Sequence, residues 1–106
     1  MSSSMAQSLS MAQKSEYQGD DWWKWSVWIE GDDSQLDEIA HVVYTLHNTF
    51  PDPVRTVSDR SSKFRLDAGG WGVFRIYVKI VKKDGRHAQL HHDLVLLYPD
   101  GTPTTA

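Results

Sequence analysis

No cysteine occurs in the 106 residues. A disulfide-stapled secreted domain and thiolate chemistry are both excluded, and a reducing, intracellular setting is the expectation. No apolar run approaches the roughly 18–20 residues that a membrane helix needs. The opening stretch Met1-Ser2-Ser3-Ser4-Met5-Ala6-Gln7 has neither a basic start nor an apolar centre, so it does not read as a signal peptide, and no membrane partner is expected. A basic excess is missing as well. The net charge is −3, the wrong sign for the electrostatic footprint of a nucleic-acid binder. There is no phosphate-cradling glycine motif, no carboxylate pair in a loop, and no nucleophile and base with an orienting acid nearby. The expectation is a chain without catalysis, metal or cofactor.

What is present is an ordinary globular balance, with 40% hydrophobic and 24% charged residues. The length gives room for one domain, which buries only about 60–70% of its unfolded surface. Four of the five tryptophans, Trp22, Trp23, Trp25 and Trp28, fall within one short stretch. Clustered tryptophan marks a core or an interface.

Residues 1–19 are rich in Ser, Gln, Ala and Met and read as a flexible tail or linker, with Met5 to Lys14 a marginal helix at most. From Trp22 the pattern alternates: Trp23, Trp25, Val27 and Ile29 on one face, Lys24, Ser26 and Glu30 with Trp22 and Trp28 on the other. That is a strand by period and propensity. Gly31 to Ser34 is a turn, and Ser34 to Ala40 reads equally as loop or as the start of a helical turn. Ala40, Val42, Tyr44 and Leu46 then define the inward face of a second strand, which Pro51 and Pro53 end. Val54 to Val57 reads as a short edge strand. Lys63 to Asp67, Val73 to Val81 and His87 to Tyr98 complete the set, with Asp84-Gly85 a hairpin signal. The fold class this predicts is all-β, an antiparallel β-sandwich, over residues 20–99, with 100–106 a second flexible tail.

Short connections reverse strand direction. That rule puts the start of the first strand near Asp21 and Trp22, the loop His47 to Pro53, and the loop Gly69 to Gly72 at one pole. Binding residues collect on such loops. Each candidate also has a plainer reading. Phe50 before Pro51 can cap the core. Trp71 among three glycines can fold over the sandwich end as a lid. His47 at a strand end can serve the backbone alone, and Thr49 before the proline can form a hydroxyl turn. His91 and His92 are adjacent and point to opposite faces, so they cannot share a metal ion on a regular strand. His92, on the apolar parity, reads as a hydrogen-bonded core or rim residue. Lys79, Lys82, Lys83 and Arg86 read as a solvated strand end.

The runs Trp25-Ser26-Val27-Trp28-Ile29-Glu30-Gly31, Leu46-His47-Asn48-Thr49-Phe50-Pro51, Gly70-Trp71-Gly72-Val73-Phe74 and Leu90-x-His92-x-Leu94-x-Leu96, in that order, resemble a YEATS domain of the prokaryotic branch. The resemblance covers about Trp22 to Tyr98. It implies an immunoglobulin-like sandwich and, as in eukaryotic members, a module that reads acylated lysine (acetyl, crotonyl or related) on a protein or peptide as part of a larger protein or complex. Carried over residue by residue, it implies Phe50 and Trp71 as facing rings, Thr49 as the hydroxyl that holds the acyl amide, His47 as a brace, and Gly70, Trp71 and Gly72 as the backbone approach. Trp22 and Asn48 are rim candidates. Thr49 stands where the family often has serine, and Asn48 where it often has glutamate. A family aromatic that lines the pocket falls in register near Asp21 or Trp22. The competing implication is an interaction or small-molecule-sensing module that keeps the fold without the acyl-lysine ligand.

Overall fold

The computed structural model describes residues 9–104. Seven strands are found among these residues: β1 (Ser10–Gly19), β2 (Trp22–Glu30), β3 (Ile39–Thr45), β4 (Val54–Val57), β5 (Leu66–Gly70), β6 (Arg75–Lys82) and β7 (His87–Asp93). They form two antiparallel sheets, one ordered β1-β2-β5 and the other β4-β3-β6-β7. The architecture is the expected all-β sandwich.

The alternation in β2 places its inner face as read. Trp23, Trp25, Val27 and Ile29 are all buried, and they meet Val42, Tyr44, Ile76, Val78 and Ile80 of the opposite sheet in one core. The Tyr44 hydroxyl is buried there and donates to the Phe64 carbonyl, so its polar end is satisfied. β3 departs from its expected face at one end. An irregularity between Ile39 and His41 shifts the register against β6, so Ile39 rather than Ala40 enters the core. Between β2 and β3 the chain makes a short helix, α1 (Asp33–Asp37), started by a capping box in which the Asp32 carboxylate accepts from Gln35 N and the Gln35 side chain accepts from Asp32 N. Its Leu36 is fully buried.

Three segment readings need correction. Ser10 to Gly19 is not a tail, and the part of the marginal helix that falls in it is a strand. β1 pairs with the whole of β2, from Ser10 opposite Glu30 to Gly19 opposite Trp22. Residues 1–8 lie outside the described region. Second, Lys63 and Phe64 have φ of 60° and 59°, a left-handed conformation incompatible with a ladder, so β5 begins only at Leu66. The strand then runs on through Gly69 and Gly70, which were read as loop. Third, the last strand leaves its sheet after Asp93. Leu94 and Leu96 remain buried, Leu94 N still donates to Phe74 O, and the segment then folds back on itself, with Leu97 bridged to Pro103 and Thr104 N donating to Leu96 O. Pro99 to Thr104 is therefore a turn that returns on the chain; residues 105–106 lie outside the described region.

β1 is tied to that segment through one side chain. Gln13 Nε2 donates to Val95 O at 2.7 Å, and Gln13 Oε1 accepts from Val95 N at 3.0 Å. The same oxygen lies 2.7 Å from His92 Nε2. An amide oxygen only accepts, so Nε2 of His92 carries the proton. Burial favours the neutral ring and holds the His92 pKa below its usual 6.5. The unfolded chain then binds more protons than the folded one at mildly acidic pH. This contribution to stability is fully present above about 6.5 and is lost as pH falls from there through the lower folded value. Urea midpoints measured at pH 7.5 and 5.5 should fall with pH, and His92→Gln should flatten that fall. Equal slopes in the two proteins would refute the assignment.

Candidate functional site

At one pole the β3–β4 loop and the β5–β6 loop enclose a cleft of about 370 Å3. Its walls are Trp22, His47, Thr49, Phe50, Pro51, Gly69 to Gly72, Val73 and Phe74. The predicted clustering of the three chain segments is thus observed. No Lys, Arg, Asp or Glu is among the lining residues, so the cleft offers aromatic surface, backbone groups, one hydroxyl and one imidazole.

The β3–β4 loop is held by its own bonds. Leu46 N donates to Pro53 O and Phe50 N to His47 O, which closes the turn. Arg55, on β4, donates from Nη2 to Pro51 O at 2.9 Å and from Nε to Asp52 O at 3.0 Å. Its guanidinium carbon lies 5.9 Å from the Phe50 ring centre, within cation–π range. The Phe50 ring packs against Phe74 at 5.2 Å and, edge-on, against Trp25 at 6.3 Å. Phe50 therefore does both things read for it: one side caps the core and the other lines the cleft.

The polar pair in this loop has a defined polarity. Thr49 N donates to His47 Nδ1 at 3.3 Å, so Nδ1 carries a lone pair. The Thr49 hydroxyl, 2.9 Å from the same nitrogen, must then act as donor. Its oxygen lone pairs are left for an incoming N–H. His47 also packs on Phe74 at 6.3 Å, so it orients the hydroxyl from within an aromatic contact. No hydrogen bond to a carboxylate orients His47 among the described residues.

Across the cleft, Trp71 is 62% exposed and makes no ring contact among the described residues. Phe50 and Trp71 both border the cleft, with no ring contact between them among the described residues. Two glycines of β5 border the cleft. A Cβ on Gly69 would lie 3.2 Å from both Trp22 Nε1 and Trp23 O, so a side chain there would press on the Trp22 ring and the Trp23 carbonyl. A Cβ on Gly70 would point to the inner side, 3.7 Å from Phe50 Cζ.

Of the residues singled out from sequence, His47, Thr49, Phe50, Gly70, Trp71, Gly72 and Trp22 border one cleft. Asn48 is exposed and is not part of its wall. Sequence reasoning did not single out Phe74, which lines the cleft, or Arg55, which braces the loop from the next strand. Phe74 carried a signal, since it closes the Gly-Trp-Gly-Val-Phe block; Arg55 carried none. A second, larger cleft of about 500 Å3 shares Trp22 and Gly69 but lies over the outer face of β1, β2 and β5. Its best-placed carboxylate is already engaged. Asp67 accepts from Ser26 Oγ at 2.6 Å and from Arg65 Nε at 2.7 Å, and these bonds hold its pKa below the usual carboxylate value.

The sandwich of two antiparallel sheets thus carries an uncharged aromatic cleft between loops at one end, the kind of concave, mostly apolar surface at which ligands bind. The sequence model of pYEATS, the prokaryotic YEATS domain, matches residues 23–95, and the chain belongs to this family. A curated relative, the Protein AF-9 homolog of Schizosaccharomyces pombe, is 30% identical over 102 residues, 91% of this chain and 45% of that protein. Two solved structures of the Yaf9 YEATS domain share the fold at 21% identity, each covering 97% of this chain and 84% of theirs. One is bound to H3K27ac (TM-score 0.69) and the other recognises an H3K122suc peptide (TM-score 0.64). YEATS domains are reader modules with an immunoglobulin-like sandwich. The chain spans 25% to 45% of the length of the curated relatives it matches. Among the described residues no helix is long and apolar enough to cross a membrane.

Proposed function

We propose that this domain is a non-catalytic reader of acylated lysine on a protein or peptide, and that it does so within a larger protein or complex. The observation that carries the reading is the uncharged composition of the cleft wall combined with its aromatic lining by Trp22, Phe50, Trp71 and Phe74. Acylation removes the lysine charge, so the modified side chain presents a flat amide with a short apolar or conjugated tail. Facing rings bury both faces of such a plane. In the free protein the Thr49 hydroxyl proton is directed to His47, so its oxygen is the acceptor for the acyl amide N–H. Backbone N–H groups of the Gly70–Gly72 stretch supply donors for the amide carbonyl. Together they satisfy a group whose desolvation would otherwise be uncompensated. Membership in the family and the acylated peptide on the Yaf9 domain support the same ligand class.

A single small cleft has limited interaction energy to offer, so affinities of roughly micromolar order are expected. Acetyl-lysine and crotonyl-lysine peptides titrated into 15N-labelled protein should shift the amides of His47 to Phe50 and of Gly70 to Gly72, and the unmodified peptide should not. Absence of those shifts would sink the reading. The exposed Trp22 and Trp71 favour one second reading, a protein contact surface indifferent to acylation. Equal shifts with unmodified peptide would select it. Turnover of the acyl-lysine peptide would overturn the non-catalytic part.

A further inference from the structure

β4 carries an arginine where its alternation calls for an apolar side chain. Arg55 stands opposite the buried Tyr44 and shares a face with Val57, which packs on the core. An inward charge on an edge strand deters pairing with another chain, but a lysine would serve that purpose as well. The contacts of Arg55 are more specific. Nη2 and Nε hold the carbonyls of Pro51 and Asp52, and the guanidinium carbon stands 5.9 Å from the Phe50 ring centre. Among the described residues no carboxylate lies within ion-pair reach of it.

The backbone it holds is unfavourable on its own. Asp52 has φ of 49°, in the left-handed region, and directly precedes Pro53. That region is costly for a residue with a Cβ, and a following proline narrows the choice further. Pro51 and Pro53 offer no N–H. The loop's own backbone bonds run from Leu46 N to Pro53 O and from Phe50 N to His47 O, which leaves the carbonyls of Pro51 and Asp52 to Arg55. Strained backbone persists where its surroundings over-determine it, and such places gather at ligand clamps.

Resting on the acyl-lysine reading, we infer that Arg55 is a positioning residue for the cleft. It is not part of the cleft wall. It acts by fixing the Pro51–Asp52 turn and one side of the Phe50 ring, so that Phe50 and Thr49 stand in the binding geometry before a ligand arrives. A preformed wall spares the ligand the cost of ordering the loop. The planar fork of arginine reaches two carbonyls at once, which a lysine ammonium on its flexible stem does not reproduce.

The test uses the whole 106-residue chain, 15N-labelled, with Arg55→Gln and Arg55→Lys beside the unmutated protein, and acetyl- and crotonyl-lysine peptides of one sequence. In the ligand-free variants the amides of His47 to Phe50 and of Asp52 should gain motion in relaxation measurements, while dispersion elsewhere stays native. Both peptides should bind about tenfold more weakly, as when the competent loop falls to about one molecule in ten. The loss should be the same for the two acyl groups, because Arg55 touches neither, and Arg55→Lys should be no better than Arg55→Gln. One measurement needs no variant: the Arg55 Nε–H of the unmutated protein should be slow to exchange with solvent, with and without peptide. Unchanged affinity in the variants, full affinity in Arg55→Lys, weaker binding with an unchanged loop, or a freely exchanging Nε–H would overturn the inference and leave the acyl-lysine reading standing. Failure of both peptides to bind the unmutated protein removes both.

Discussion

Trp71→Ala should weaken acetyl- and crotonyl-lysine peptide binding by about 30-fold or more, the scale of an aromatic anchor worth about 2 kcal/mol, while the fold survives. The ring is mostly exposed and makes no ring contact among the described residues, so its loss should change stability by no more than about 0.5 kcal/mol. Calorimetry for binding and a thermal scan for stability separate the two effects. Phe50→Ala should differ in kind, because Phe50 also packs on Trp25 and Phe74. It should lose binding and lower the unfolding midpoint together. Thr49→Val keeps the shape and removes the acceptor oxygen, so a loss of about fivefold is expected. If Trp71→Ala bound as tightly as the unmutated protein, the cleft would not be the acyl-lysine site.

A chain beginning at Asp20 should fail to hold the sandwich. β1 supplies the full-length partner of β2, and β2 is otherwise paired only along Trp23 to Val27 by β5. Without β1 the three-stranded sheet becomes a two-stranded ribbon, which is marginal in water. Two side-chain arrangements go with it. Gln13 would no longer tie Val95 and His92. Tyr17 would leave the ring cluster it forms with Trp23 at 5.0 Å and Tyr98 at 5.4 Å. The expected loss is at least about 5 kcal/mol, the lower end of a small domain's entire stability. Circular dichroism and amide dispersion would read it directly. A cooperative unfolding transition in the shortened chain, with native dispersion, would show that β1 is dispensable.

That strand also marks where the sequence stops being legible. β2 could be read residue by residue because its four inward side chains are all large and apolar. β1 has no such face. Its strand state comes from the β2 ladder and from Gln13 and Tyr17 reaching distant partners, and neither source leaves a period-two pattern. The delayed start of β5 has a similar origin. Phe64 is buried, but Lys63 and Phe64 have a left-handed backbone that apolar alternation does not encode. In the terminal segment Leu94 and Leu96 carry the alternation on into the core, but the strand pairing ends at Asp93, which that alternation does not mark.

The pole of the sandwich was legible in two ways. Strand reversals alone brought Trp22, Phe50 and Trp71 together, and the family resemblance named the residues between them. Neither source reached the details that come from side chains packing across the two sheets. The direction of the His47–Thr49 hydrogen bond needs the Thr49 N–H in place, and the Phe50 ring needs Trp25 and Phe74 beside it. Asn48 shows the limit from the other side. It belongs to the right block by sequence, yet the turn closed by Phe50 N and His47 O leaves it outside the cleft wall.

The two walls of the cleft belong to different layers. His47 to Pro51 extends from the sheet of β3, whereas Gly69 and Gly70 are the last residues of β5 in the other sheet. Anything gripped by both walls acts as a stitch between layers that otherwise adhere through their core and a few crossing segments. Occupancy at one end would then be felt as resistance to the two sheets sliding or parting, so a domain of this build can report a bound side chain as stiffness, with no hinge and no second conformation.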